Sequence, residues 1–491
     1  MATQNDVRIR LRDGGLGSVQ LPDRPNAIVA PSTKGPLTAN LITNPTQLAE
    51  LYGSGPLVEE GALYMKITGL AFIATRAVTS TAATAGAITT HNAAGSGAAA
   101  GTSVVTKQAL AVPHDALRMR LEVVRGGTIG QQGIVLRSSR DGGRTWSNEK
   151  ALGVADEFTL ENTGMVLEFG AGTLLAGEWY ELTSTPPLAS AGNVATAIAT
   201  IRAANKPFDG IAVPQVVSAA DATTLDLAMV DLRNAYRYQW LLAAARDKPT
   251  GETVSEWKNS ILGDFDDFAS VEGRVSITPG FYLMTSAIDS AKLRRSGVVR
   301  AMARAALVKR GEELGRFATG SIIGIESSDD DGEYYHDASE DDELAKARFL
   351  CFRKYVDAQG WYVFASNTMA PSGSDYSLVP YVRVTAQACR TTRLALLHYM
   401  NASIRVSEEN GLILEADALE VEGRVKYQLR LALLAPGDIS PGGIFVVVDR
   451  TVDILATKVL PVSVSIVPLG YVQAIPTDLG LVNPAVQAIA A

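Results

Sequence analysis

The chain is 491 residues long, 47% hydrophobic and 20% charged, with a formal net charge of −8. At about 150 residues per domain, this length suffices for roughly three domains with large buried cores. Nine negative charges lie from Asp329 to Glu343 with no Lys or Arg among them; the remainder is close to neutral and lacks the footprint of a nucleic-acid binder. The opening MATQNDVRIR has no apolar signal-peptide segment, and no uninterrupted apolar run would span a bilayer, so synthesis in the cytosol and no membrane insertion are expected. Cys351 and Cys389 are too few for a disulfide framework and read as buried free thiols.

In chain order, Val7, Ile9 and Leu11 alternate with Arg8, Arg10 and Arg12, the period of a strand wetted on one side. A short strand at 27–30 precedes a Gly35-Pro36 turn. Asn44-Pro45-Thr46-Gln47 then reads as a helix start, with Asn44 as cap, Pro45 at the first helical position and Gln47 as capping-box partner. That helix should end at Tyr52-Gly53, a second begin near Pro56, and a strand follow at 72–78. Thr79 to Gly101 is almost entirely Ala, Thr and Gly and reads as linker. Short β segments at 117–124, 133–138, 165–169 and 179–183, closed by Pro186-Pro187, then mark residues 80–188 as an all-β insertion.

From Asn193 to about Arg316, apolar runs at 210–213, 240–245 and 273–277 alternate with helical stretches at 220–237 and 252–263, the pattern of an α/β layer. After the acidic run, 345–359 reads as helix and 361–364 as strand. A long helix follows at 384–404, apolar at Leu394, Leu397 and Met400. The last stretch reads as mainly β, at 429–434, 443–448 and 458–467, with Val462, Val464 and Ile466 alternating. From Val459 onward the only charged side chain is Asp478. Both ends therefore carry strands with no evident local partner. Their backbone groups must pair within their own domain or be lent to another subunit.

No catalytic centre assembles, so no enzyme activity, cofactor or metal is expected. His91, His114, His336 and His398 lie far apart, and neither a nucleophile elbow nor a phosphate-cradling Gly-rich loop is present. The acidic run lacks the ligand spacing of an EF-hand loop and reads as a solvated face. The sharpest local motif runs from Ser139 to Trp146. It resembles the Asp-box of sialidase-type propellers, with Ser139, Asp141, Gly143, Thr145 and Trp146 at the matching positions. There the box is structural and repeated; a single copy here reads as a stabilising turn, with carbohydrate contact as the alternative.

Three regions together resemble the sheath proteins of contractile phage tails, of a Mu-like branch, and of related injection machines. They are Ile28-Val29-Ala30 through Thr75-Arg76-Ala77-Val78, then Gly360-Trp361-Tyr362-Val363 through Tyr381-Val382-Arg383-Val384 into the 390–400 helix, and finally Val462 to Pro468. The resemblance covers roughly residues 25–80 and 193–475. It implies an α+β multidomain chain, with an α/β sheath core, an inserted sandwich-like β domain facing outward, and extended β arms at both termini. The expected divisions are an arm at 1–24, the core at 25–79 and 189–325, the insertion at 80–188, an acidic loop at 326–344, a tube-facing C-terminal domain at 345–470 and a second arm at 471–491. The implied function is a sheath subunit of the virion tail, assembled in the host cytoplasm as six-fold rings around a tail tube and capable of contraction. Its partners would be further copies, the tube protein, the baseplate and the tail terminator. Strand exchange would fall on Val7, Ile9, Leu11, Val462, Val464, Ile466, Val472 and Ile475, and tube contact on Arg390 and Arg393, three apart on one helix. The alternatives are another virion ring protein, such as a tail terminator or capsid component, and a carbohydrate-binding virion protein.

Overall fold

The computed structural model describes residues 24–249, 251–328, 343–408, 410–477 and 479–481. The expected N-terminal strand with Val7, Ile9 and Leu11, most of the acidic run and the last ten residues lie outside them. Contacts divide the chain into two units, Met1–Met400 and Asn401–Ala491.

The first unit is built on a six-stranded sheet, from strands β1 (Ala27–Ala30), β2 (Asn40–Ile42), β3 (Phe72–Arg76), β4 (Gly210–Val216), β5 (Trp240–Ala244) and β6 (Val275–Thr278). Its order is β6-β5-β4-β1-β3-β2, parallel throughout except for β2 at one edge. Every residue of β1, β5 and β6 is buried, so the sheet is covered on both faces and its strands read as continuous apolar runs. The covering helices are α1 (Pro45–Tyr52), α2 (Pro56–Thr68), α3 (Ala191–Ala203), α4 (Ala219–Asn234), α5 (Val254–Phe265) and α6 (Val298–Leu307). α2 packs with α6 and α3 with α4. Gly210 opens β4 where a Cβ would lie 2.7 Å from the Trp240 ring, which restricts the position to glycine.

The caps explain where these helices begin. Asn44 Oδ1 accepts from Gln47 N at 2.7 Å as expected, while the Gln47 side chain bonds Thr43 N, one residue earlier than a capping box requires. Complete capping boxes, Ser218 with Asp221 and Thr253 with Glu256, start α4 and α5.

Residues 80–188 leave this sheet after β3 and form a β domain around a second core, including Met119, Leu121, Leu136, Leu167 and Tyr180, to which Ala291 and Leu293 also contribute. A five-stranded antiparallel sheet is ordered Thr89–His91, Trp179–Thr183, Arg118–Arg125, Val135–Ser139, Lys150–Ala151. It shares that core with a three-stranded sheet of Glu157–Thr159, Val166–Phe169 and Val105–Lys107. The Ala/Thr/Gly stretch is not a linker. Thr89–His91 pairs with Trp179–Glu181, and Thr81 and Ala85 bridge to Leu188 and Ser184. Backbone pairing needs no large side chains, and threonine favours the extended state.

The chain returns through β7 (Phe281–Thr285), β8 (Lys292–Ser296) and β9 (Ile325–Ser327), ordered β8-β7-β9, and then the antiparallel pair β10 (Leu350–Arg353) and β11 (Tyr362–Ser366). The helix expected over 345–359 is largely replaced by β10, because the apolar run 349–352 is wholly buried and so carries no face-specific period. The helix expected at 384–404 runs instead as α7 (Val379–Leu397), with a proline in its first positions as the start signal.

The second unit contains α8 (Glu415–Leu429), which continues into a π-helical turn at Arg430–Leu434, then β12 (Ile439–Val448) and β13 (Val462–Pro468). The strand expected at 429–434 is therefore helix. Ala418, Val421, Val425, Leu429 and Leu433 fall three and four apart and form its buried stripe.

Candidate assembly surface

β12 and β13 form a two-stranded antiparallel sheet, with Ile444 opposite Ile466, Val446 opposite Val464 and Val448 opposite Val462. The C-terminal strand therefore has a local partner, contrary to the reading of an unpaired end. Alternation assigns its side chains: Ile444 and Val448 are buried and α8 packs against the sheet, whereas Phe445 and Val447 stand outward at 57% and 55% exposure. Val462, Val464 and Ile466 share the half-buried inner face. Among the described residues each of the two strands keeps one edge without a ladder partner. Beyond Pro468 the chain has no regular structure through 477, and Val472 and Ile475 are 78% and 79% exposed. Such a narrow sheet, with open edges, an apolar outer face and an apolar extension, can add a strand or lend one.

The inserted β domain is fixed to the core by buried ion pairs. Arg140 donates to Glu59 of α2 at 2.5 Å, to Ser286 Oγ at 2.9 Å and to Asp289 at 2.5 Å. Arg295 of β8 makes a two-pronged pair with Asp115 at 2.8 and 2.7 Å. Burial works against the Arg295 charge, but Asp115 holds its pKa above the ordinary value. Between these pairs lies Glu60, 3% exposed, with Oε2 unpartnered. Burial pushes its carboxyl up to about 7, against the pull of Arg295 and Arg300. Arg300, buried with Glu60, is drawn down to about 10 by desolvation. Sequence reasoning missed this junction; its one signal was the Glu59-Glu60 pair inside the otherwise apolar start of α2.

The Asp-box turn belongs to the same junction. Asp141 accepts from the backbone N–H groups of Arg144 and Thr145, both at 2.9 Å, and from Thr145 Oγ1 at 2.7 Å, while Ser139 Oγ donates to it at 2.7 Å. Gly142 and Gly143 take φ of 76° and 93°, as the turn requires. Asp141 Oδ2 also receives the backbone N–H of Lys292 in β8, at 2.9 Å. Burial alone would raise the Asp141 pKa; these hydrogen bonds hold it below the usual carboxylate range. Trp146 lies under Arg137 and Arg120, and the Trp179 ring is stacked on His91 at 3.6 Å with Arg120 3.7 Å from its centroid. Ring faces that a sugar would use are thus held by the protein's own side chains.

A cleft of about 540 Å3 opens between insertion and core at the carboxyl ends of β1 and β4, where the strand order reverses; Pro31, Val216, Leu117 and Pro187 are among its walls. Of its charged lining, Arg140, Asp115 and Arg295 are held in the pairs just described, and Arg118, Lys292 and Arg294 pair with Glu181, Glu326 and Asp247.

On α7 the two arginines part company. Arg390 is 6% exposed and donates to Asp209 at 2.9 Å, and to the Tyr238 carbonyl, so it is paired within the unit. Arg393 is half-buried, 4.3 Å above the Tyr236 ring. Among the described residues no group of three His, Cys, Asp or Glu side chains is placed to hold a metal ion, and no helix is long and apolar enough to cross a membrane.

A parallel-sheet core, an inserted β domain and a separate small α+β unit make up the fold. A chain of the contracted-state baseplate of the anti-feeding prophage (AFP) shares it at a TM-score of 0.51 and 11% identity, over 98% of this chain and 97% of that one. The sheath tail protein Lin1278 of Listeria innocua aligns at 0.46 and 12% identity, over 92% and 93% of the two chains. A chain of the six-fold symmetrised AFP baseplate aligns at 0.42 and 14%, over 61% and 76%. The chain belongs to the DUF2586 family, whose N-terminal domain matches residues 4–367 and whose C-terminal domain matches residues 375–486. No curated protein matches it by sequence.

Proposed function

We propose that this chain is a tail-sheath subunit. Copies stack as six-fold rings around a tail tube between baseplate and tail terminator, and contraction of that lattice drives the tube through a host envelope. The work is mechanical and needs no catalytic residue or cofactor. The observation that carries the reading is the open β12–β13 sheet, with Phe445 and Val447 turned outward and an apolar extension behind it. In an isolated subunit these features leave strand edges and apolar surface in water; in a lattice each extension adds a strand to a neighbour's sheet. The fold likeness, over nearly the whole chain, to a chain of the AFP baseplate in its contracted state supports the same reading.

Negative-stain microscopy of the purified chain tests it. Long helical tubes are expected from the full chain, and folded monomers without tubes after deletion of residues 471–491 or 1–12. Closed rings from the full chain, or undiminished tubes from both deletions, would overturn it.

A further inference from the structure

Opposite the open cleft, at the amino ends of the parallel strands, arginines gather around one carboxylate. Asp209, just before β4, is buried; burial opposes its charge, but Arg390, Arg383 and Arg310 hold its pKa below the usual carboxylate range. Arg24, just before β1, lies in the same field. Burial draws its pKa down, Arg390 lowers it further, and Arg310 and Arg237 add to that repulsion, while Asp209 alone among its strongest charged neighbours opposes it. Arg390 and Arg383 are buried and donate to Asp209 and to main-chain carbonyls of 238, 305, 308 and 309. Arg237 is spent on Asn205 and the Lys206 carbonyl. Arg24 and Arg310, both half-buried, form no ion pair among the described residues. The Nε atoms of Arg310 and of the nine-tenths buried Arg390 have no acceptor.

Among the described residues five guanidiniums face one carboxylate, a frustrated arrangement. Half-buried cations repel strongly where water is partly excluded, and such a cluster is stabilised by an incoming anion. Carboxylates suit it because the guanidinium fork binds them through two parallel hydrogen bonds. The sequence itself supplies a matching group: nine carboxylates and no Lys or Arg from Asp329 to Glu343. In an assembly of identical copies, a head-to-tail contact brings different patches of neighbouring chains together.

We propose that the Arg24–Arg310 cluster is a docking site for a carboxylate-rich segment, and that its occupant is the acidic run Asp329–Glu343 of a second copy of the chain. The proposal deepens the assembly reading by naming one contact between copies, and the contact is measured without requiring tubes.

The probe is a fluorescently labelled synthetic peptide of residues 327–345, titrated into the full-length chain and followed by anisotropy. Binding is expected at low salt and should weaken steeply by 0.5 M salt, where the Debye length falls to about 4 Å. A peptide with its acids replaced by Asn and Gln should not bind. The double variant Arg24→Ala/Arg310→Ala should bind at least about tenfold more weakly, with an unchanged or raised melting temperature, because it relieves repulsion in the free subunit. Equal affinity for that variant, or equal binding of the neutral peptide, would overturn the site. If the wild type fails to bind while a chain with its own acidic run neutralised does bind, the run occupies its own cluster and the contact between copies is overturned. Tubes are scored separately: peptide binding without tubes supports the docking site while removing the sheath reading, and tubes without peptide binding overturn the site alone.

Discussion

Arg140, in the turn of the inserted β domain, and Glu59, on α2 of the core, are 81 residues apart in sequence and joined at 2.5 Å in the structure. Their side chains are 5% and 8% exposed. A pair this deep gains little over a matched apolar pair, but removing one partner strands the other charge in a medium that solvates it poorly. Arg140→Met should therefore destabilise the chain by about 3–5 kcal/mol, read as a lower urea midpoint. Adding Glu59→Gln should recover a large part of the loss, because the stranded carboxylate is then gone. Equal loss in single and double variants would mean that Arg140 acts through its packing.

Glu60 sets a pH dependence at the same junction. Its folded pKa is about 7, against an ordinary value of 4.5, so the folded state holds a proton that the unfolded state releases. Stability from this group is present below pH 4.5 and is lost as pH rises through 7. At about 1.4 kcal/mol per unit, the loss is about 3 kcal/mol. Urea unfolding at pH 5 and pH 8 measures it. Glu60→Gln, which mimics the protonated form, should flatten the difference; an unchanged pH slope in that variant would assign the dependence to another group.

The Asp-box yields a third expectation. Asp141 gathers two backbone amides and two hydroxyls of its own hairpin and the Lys292 amide of β8. Asp141→Ala should cost about 2–4 kcal/mol through unsatisfied buried donors and loosen the insertion where it meets β8, seen as faster amide exchange at Lys292. Because His91 and the arginines already cover the tryptophan rings, the full-length chain should give no signal on a glycan array. A reproducible glycan hit lost in Trp179→Ala would contradict that.

What the sequence discloses here follows from how each contact is encoded. β1 and β5 are legible because burial on both faces makes them apolar throughout, and Asn44 and Pro45 are legible because a helix start is local chemistry. The helix Glu415–Leu429 was missed because its stripe Ala418, Val421, Val425 is thin between charged residues, while the run at 429–434 resembles a strand. The junction and the arginine cluster are long-range. Nothing beside Arg140 announces Glu59, and nothing beside Arg390 announces Asp209. An exposed helical arginine and a buried, paired one look alike until the fold brings the carboxylate to it.

The outer face of the β12–β13 sheet gives the sharpest separation of folding from assembly. Phe445 and Val447 point away from α8, so replacing them removes little buried area within their own unit. Phe445→Lys/Val447→Lys should change monomer stability by no more than about 1 kcal/mol in all, the scale of two surface substitutions. In the proposed lattice the same change puts two cations on the face offered to a neighbour and beside the edges offered to its strand, and edge lysines are a natural device against such pairing. Tubes should therefore disappear while the circular dichroism spectrum and melting temperature of the monomer hold. The inward pair behaves oppositely: Ile444→Lys would bury a charge against α8, and the monomer itself should melt at a lower temperature. Retained tubes in the double lysine variant would remove this face from the assembly, and loss of monomer stability would show that it already packs within the chain.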